Sequence, residues 1–228
     1  MPAGIRRKAF RCLSKDVKGS TKVKVNDCRG SAALARAIPI GLIFAGDSKA
    51  AFDEGVKAAA LSHSDPVGYY AAGGLAAMIS CLAYGLTLPK ALERAETLLG
   101  KVHKTDPILS LLGAAEEQAN NHPAGKTGTW DHIDSIASLG SGENAEEALA
   151  IAVYCTLAID EPLDALIISA NHSGKSNTTA AITGALEGVR FGRSFIPSYW
   201  SDILECSEPL AFMADKLYYV YEKYHPMK

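Results

Sequence analysis

The chain carries almost no excess charge: 23 Lys and Arg stand against 25 Asp and Glu over 228 residues, a formal −2. A field that weak offers no general attraction for nucleic acid or an anionic membrane, so neither is expected as a partner. No uninterrupted apolar run reaches the roughly 18–20 residues that cross a bilayer. The N-terminus lacks the basic, apolar and small-residue succession of a signal peptide, because Ile5-Arg6-Arg7-Lys8 leads into further charge. Cysteine is sparse: Cys12, Cys28, Cys81, Cys155 and Cys206 are odd in number and never spaced C-x-x-C. That usage excludes a disulfide framework and a zinc ribbon, and reads as reduced thiols of a cytoplasmic protein. Alternating β-branched runs are nearly missing too, which argues against a sheet.

What remains is a globular composition, 48% hydrophobic and 21% charged, long enough for one sizeable core. Residues 1–25 differ from the rest, with eight basic side chains from Arg6 to Lys24 against the single acid Asp16 and no sustained apolar period. They read as a loosely ordered basic tail, or as an arm for an acidic partner. Residues 26–228 read as one all-α, single compact multi-helix domain of eight to ten helices. Ser48–Ser62 has helical spacing. Asp65-Pro66 caps and opens a nearly all-apolar helix to about Tyr84, expected at the centre of the core. Pro89, Pro107 and Pro162 open further helices, Ala145–Ala158 is strongly apolar, and Thr178–Phe191 and Pro209–Tyr224 complete the set. Residues 120–142, rich in Asn, His, Gly, Thr and Ser, read as the longest break.

The chemistry concentrates at Asn171-His172-Ser173-Gly174-Lys175-Ser176-Asn177-Thr178-Thr179. A loop N-H-x-G-D-x-D-[ST] opening a helix gathers two carboxylates and a hydroxyl, the oxygen set a hard divalent cation needs. Here Lys175 and Asn177 stand at the two acidic positions. Three more segments accompany it in order: Asn26 to Gly41, containing Gly30-Ser31 and Arg36-Ala37-Ile38-Pro39; Ala60 to Pro66, containing His63-Ser64-Asp65; and Ala145-Glu146-Glu147-Ala148-Leu149-Ala150-Ile151-Ala152. Together they resemble the ADP-ribosylglycohydrolase family over residues 26–217.

The resemblance implies an all-α fold that removes ADP-ribose from modified proteins with two magnesium ions, the Asn26 segment wrapping the ligand. It also implies a G-D-A-x-G helix and a T-D-D-T segment upstream of Asn26, where 25 residues stand and none reads T-D-D. Two expectations follow. Asn177 and Thr178 are vestiges of a metal site without its carboxylates, so no cofactor is expected, and Mg²⁺ only if hydrolysis survives. The protein is then a pseudoenzyme with the magnesium site lost, binding ADP-ribose, an ADP-ribosylated protein or an ADP-ribosyltransferase, with immunity by occlusion as one use. The alternative is an active ADP-ribosyl hydrolase.

Six residues are candidates for the ligand, each with a plainer reading. Gly30 and Ser31 place N–H groups on a diphosphate or form an ordinary loop. Arg36 meets the diphosphate or belongs to a buried structural pair. His63 and His172 reach phosphate or ribose, or cap and pack locally. Lys175 anchors a diphosphate in the metal's stead, or marks drift at a disused site. Glu146 and Glu147 read as solvated or capping acids. Without the family's first helices an apolar surface is bared, and a second copy of the chain is expected to cover it.

Overall fold

The computed structural model describes residues 18–122 and 131–224. Among them the chain forms a 3-10 turn, Ser31–Arg36, and eleven α-helices: α1 Ala37–Ile43, α2 Ser48–Ala60, α3 Pro66–Ala83, α4 Leu88–Leu99, α5 Asp106–Asn121, α6 Asp131–Leu139, α7 Ala145–Ala158, α8 Pro162–Ala170, α9 Ser176–Phe191, α10 Ser198–Asp202 and α11 Ser207–Tyr224. The fold is all-α. The only bridge between described segments is isolated, Gly30 with Asn144. Most of the expected tail lies outside the described residues. At its inner end Val25 is buried and its N–H donates to Ser64 Oγ at 3.0 Å.

Two helices make the centre. In α3 the side chain of Asp65 accepts from the N–H of Val67 and Pro66 takes the first turn, so the helix begins where the sequence predicts. Nearly every residue from Val67 to Leu82 is buried, as is α7 from Ala145 to Cys155 apart from Glu147. By length and composition α3 is long and apolar enough to cross a membrane, contrary to the expectation that no stretch is, and 83% of it is buried inside the molecule. The helices α2, α4 and α5 are one-sided by contrast. In α4, Leu88, Ala91, Leu92, Ala95, Leu98 and Leu99 form the buried stripe that period 3.6 requires.

Small residues set how closely α2 and α3 approach. A Cβ on Gly73 would stand 2.6 Å from Val56 Cγ2 and 2.9 Å from the Phe52 carbonyl oxygen, so only glycine permits this crossing. Core side chains such as Leu75, Leu92, Leu149 and Ile151 have no solvent exposure, and truncating one to Ala is in the class that costs about 2–5 kcal/mol.

Three elements depart from expectation. The break at 120–142 contains α6, whose Ile136 and Leu139 are buried and whose His132 Nδ1 lies 2.8 Å from the buried Tyr154 hydroxyl. Two apolar anchors in nine mostly polar residues make too faint a period to read. The Ser31–Ile43 stretch and the short α10 raise the helix number to eleven, above the eight to ten expected. The thiols of Cys28, Cys81 and Cys155 are free and buried, but that of Cys206 is exposed; Cys12 lies outside the described residues.

Candidate functional site

Four chain segments meet through backbone hydrogen bonds. The N–H of Ser31 donates to Glu143 O at 2.9 Å, and that of Ala145 donates to Arg29 O at 2.9 Å. Lys175 N–H donates to Ser141 O at 2.7 Å. Asp65 N–H donates to Cys28 O at 3.3 Å. The Ser141–Asn144 turn is therefore the hub that brings Gly30 and Ser31 to Lys175. It takes the Ser31 N–H while Cys28 Sγ takes that of Gly30 at 3.4 Å, so neither points free to a diphosphate as expected.

Its conformation is held by Glu147, whose carboxylate accepts from Ser141 N–H at 3.1 Å, Ser141 Oγ at 3.0 Å and Asn144 Nδ2 at 2.8 Å. Burial raises the Glu147 pKa, but these hydrogen bonds more than offset it and leave the group below its ordinary value. Glu147 thus fastens the hub. Its neighbour corrects the expectation of a solvated acid: Glu146 is 4% exposed, with Oε1 3.3 Å from Arg29 Nη2 and no hydrogen-bond partner for Oε2. Burial pushes Glu146 up despite its own backbone N–H and Arg29.

The loop before α9 is stapled by His172. Thr179 Oγ1 donates to Ser169 O at 2.8 Å, so it accepts from His172 Nε2 at 2.8 Å. His172 Nδ1 then accepts from the Gly174 N–H at 3.1 Å. That pattern fixes the neutral Nε2–H tautomer, and burial lowers the ring's pKa in the same sense. Both nitrogens of His172 serve the loop. The neighbouring Asn177 is exposed and Thr178 partly so. Lys175 is half-buried, with Nζ 3.7 Å from Glu143 Oε1.

The remaining candidates form a second group. Asn26 Oδ1 accepts from Cys28 N–H at 3.0 Å and Ser64 N–H at 3.2 Å, and its Nδ2 donates to Ser62 O at 2.8 Å. It thereby fixes the turn carrying His63. His63 is buried, with Nδ1 2.9 Å from Ser62 Oγ. Arg36 is exposed; it donates to Ala58 O at 3.1 Å and also to Ser62 Oγ. Its partners are thus a carbonyl and a hydroxyl, in place of the buried pair considered for it.

Chemically, the hub presents the N-terminus of α9, since the first N–H of α7 is given to Arg29 O and its first turn carries Glu146 and Glu147. No side chain caps α9 at Lys175 or α7 at Asn144. The N–H groups of Thr178 and Thr179 both return to Lys175 O, leaving those of Ser176 and Asn177 as first-turn donors with no acceptor inside the helix. Such donors, the helix dipole and a lysine ammonium at the same end suit an anion. A dication is less well served. The side chains that the loop and turn bring here are the Asn177 amide, the Thr178 hydroxyl and the Lys175 ammonium, the last paired with the Glu143 carboxylate. Among the described residues no group of three or more His, Cys, Asp or Glu could hold a metal ion. Mg²⁺ usually relies on one or two carboxylates; the Glu143 carboxylate is paired with the Lys175 ammonium, so the donors at the loop do not fit it.

The arrangement defines an all-helical domain in which the Gly30-Ser31 segment and the start of α9 meet at the Ser141–Asn144 turn. The chain belongs to the ADP-ribosylglycohydrolase family, whose model matches residues 3–226. That match begins well before Asn26, where the motif resemblance starts. Among curated proteins it is 27% identical over 190 residues to the ADP-ribosylhydrolase ARH3 of Bos taurus, covering 72% of this chain and 51% of that protein. It is 29% identical over 99 residues to the Homo sapiens ADP-ribosylhydrolase ARH3, covering 39% and 27% respectively. It is 34% identical over 87 residues to the ADP-ribosylarginine hydrolase Tri1 of Serratia proteamaculans (strain 568), covering 38% and 23%. The chain thus spans about half the length of the bovine relative it matches.

Proposed function

We propose that this protein binds ADP-ribose, free or attached to a protein, through the hub formed by Arg29–Ser31, Ser141–Asn144 and the N-terminus of α9, and does so without two-metal hydrolysis. The observation that carries the reading is Lys175: it stands at the uncapped start of α9, its ammonium 3.7 Å from Glu143 Oε1, at the position where the N-H-x-G-D-x-D loop has its first carboxylate. A diphosphate carries the charge these donors suit, and a charge-assisted contact there contributes about 1.5–3 kcal/mol. The same ammonium disfavours a dication and pairs with the Glu143 carboxylate, and neither Asn177 nor Thr178 supplies a negative oxygen to offset metal dehydration. A domain that holds the ligand and leaves its bond intact acts by occupancy, shielding a modified protein or engaging an ADP-ribosyltransferase.

Isothermal titration with ADP-ribose tests this. Binding is expected in the presence of a chelator, unchanged by added Mg²⁺, and weakened about tenfold or more in Lys175→Ala. Binding that requires Mg²⁺, or that Lys175→Ala leaves intact, contradicts the reading.

A further inference from the structure

The helix α11 lies on the body along one side only. Its Ala214, Leu217 and Tyr221 line a groove of about 240 Å³ with Leu42 and Ala45 at the end of α1. The opposite side carries large apolar groups into solvent, with Phe212 59% and Tyr219 64% exposed.

At about 100° per residue, positions seven apart on a helix fall within roughly 20° of one another, so they form stripes. Three stripes run along the outward side of α11. Phe212 and Tyr219 form the middle one. Glu208, Asp215 and Glu222 flank it on one edge, and Lys216 and Lys223 on the other, all of them exposed. The Lys216 ammonium already leans over Phe212, 5.3 Å from the ring centroid.

An aromatic stripe with acids on one edge and lysines on the other is complementary to itself in a single orientation. Two parallel copies related by a two-fold along the helix bring the acidic edge of each against the basic edge of the other. An antiparallel pair sets acid against acid and lysine against lysine, which opposes association. We propose that this chain forms a parallel homodimer through the outward face of α11, with Phe212 and Tyr219 meeting their counterparts across the two-fold. Asp215 then faces the partner's Lys216, and Glu222 the partner's Lys223. With Phe212 59% and Tyr219 64% exposed, four aromatic side chains of roughly 150–250 Å² each bring about 400–600 Å² to the contact, which even with the lysine stems stays below the roughly 1,200 Å² of stable specific interfaces. The dimer is accordingly a weak one, forming in the micromolar range, and it stands independently of the ligand-binding reading.

Sedimentation equilibrium on the full chain tests it, with circular dichroism confirming that each variant keeps its helices. The wild type is expected to dimerise, less tightly as salt rises. Phe212→Ala with Tyr219→Ala is expected to leave a monomer. Reversing the acidic edge, Asp215→Lys with Glu222→Lys, raises the dissociation constant about tenfold or more, because four attractive pairs become repulsive. Adding Lys216→Glu and Lys223→Glu to that variant restores the dimer. A wild type that is monomeric throughout the micromolar range overturns the proposal. So does a dimer indifferent to the edge reversal, or a four-fold variant that stays monomeric.

Discussion

Gly174→Ala is expected to disable the hub and to lower the melting temperature by roughly 5–10 °C. A Cβ at this position would stand 1.9 Å from the carbonyl oxygen of Ser141 and 2.7 Å from its carbonyl carbon. Both are backbone atoms, and that oxygen is the acceptor of the 2.7 Å bond from Lys175 N–H. The clash cannot be relieved by a rotamer change, so the loop or the Ser141–Asn144 turn must move. Overpacking of this kind costs about 1–3 kcal/mol, and loss of the Lys175 hydrogen bond adds about 0.5–1.5 kcal/mol. Because the displaced residue is Lys175 itself, ADP-ribose binding should vanish while the helical dichroism of the core persists. A variant that melts with the wild type and keeps its affinity would show that the turn and the loop are not coupled.

The second large effect is a dependence of stability on pH. Glu187, on α9, has no solvent exposure, and Arg190 Nη1 lies 3.0 Å and 2.9 Å from its two oxygens. The same Nη1 reaches Thr156 O near the end of α7 at 3.3 Å. Burial pushes the Glu187 carboxyl from 4.5 to about 7, with Arg190 opposing the rise only in part. A carboxyl raised in the folded state holds its proton there at pH values where the unfolded chain has released it. The folded state therefore binds more protons between about 4.5 and about 7, and stability falls as pH rises through that window, then levels off. The span corresponds to a contribution on the order of 3 kcal/mol. Urea denaturation of wild type and Glu187→Gln at pH 5 and pH 8 isolates it. Relative to wild type, the variant should gain about 3 kcal/mol on going from the lower pH to the higher. Equal differences at the two pH values would mean that Glu187 ionises as freely as in the unfolded chain.

Much of the fold is legible in the sequence because its helices are punctuated. Asp65-Pro66, Pro89, Pro107 and Pro162 stand at or next to helix starts, and the apolar runs of α3 and α7 are dense enough to announce burial on all sides. The misses are of the opposite character. Only Ile136 and Leu139 anchor α6 among the described apolar residues, so its place against α5 and α7 depends on tertiary contacts that no local pattern encodes. The site divides in the same way. The loop before α9 and the Gly30-Ser31 turn carry motifs, but the segment joining them, Ser141–Asn144, reaches both through backbone atoms, and its side-chain bonds to Glu147 follow no recognisable spacing. The burial of Glu146 was hidden for a related reason. In sequence it is an ordinary first-turn acid, and only Arg29, distant along the chain, gives it a partner in the interior. His172 illustrates an ambiguity that geometry resolves, because a histidine beside a loop reads equally as ligand or staple until both ring nitrogens are accounted for.

Turnover separates the proposed recognition of ADP-ribose at the hub from two-metal hydrolysis. The full chain is incubated with an ADP-ribosylated protein, with and without Mg²⁺, and released ADP-ribose is measured beside binding of the modified protein. Occupancy without hydrolysis predicts binding in both conditions and no release above the uncatalysed rate in either. Mg²⁺-dependent release that disappears on Asn177→Ala or Thr178→Ala would contradict it.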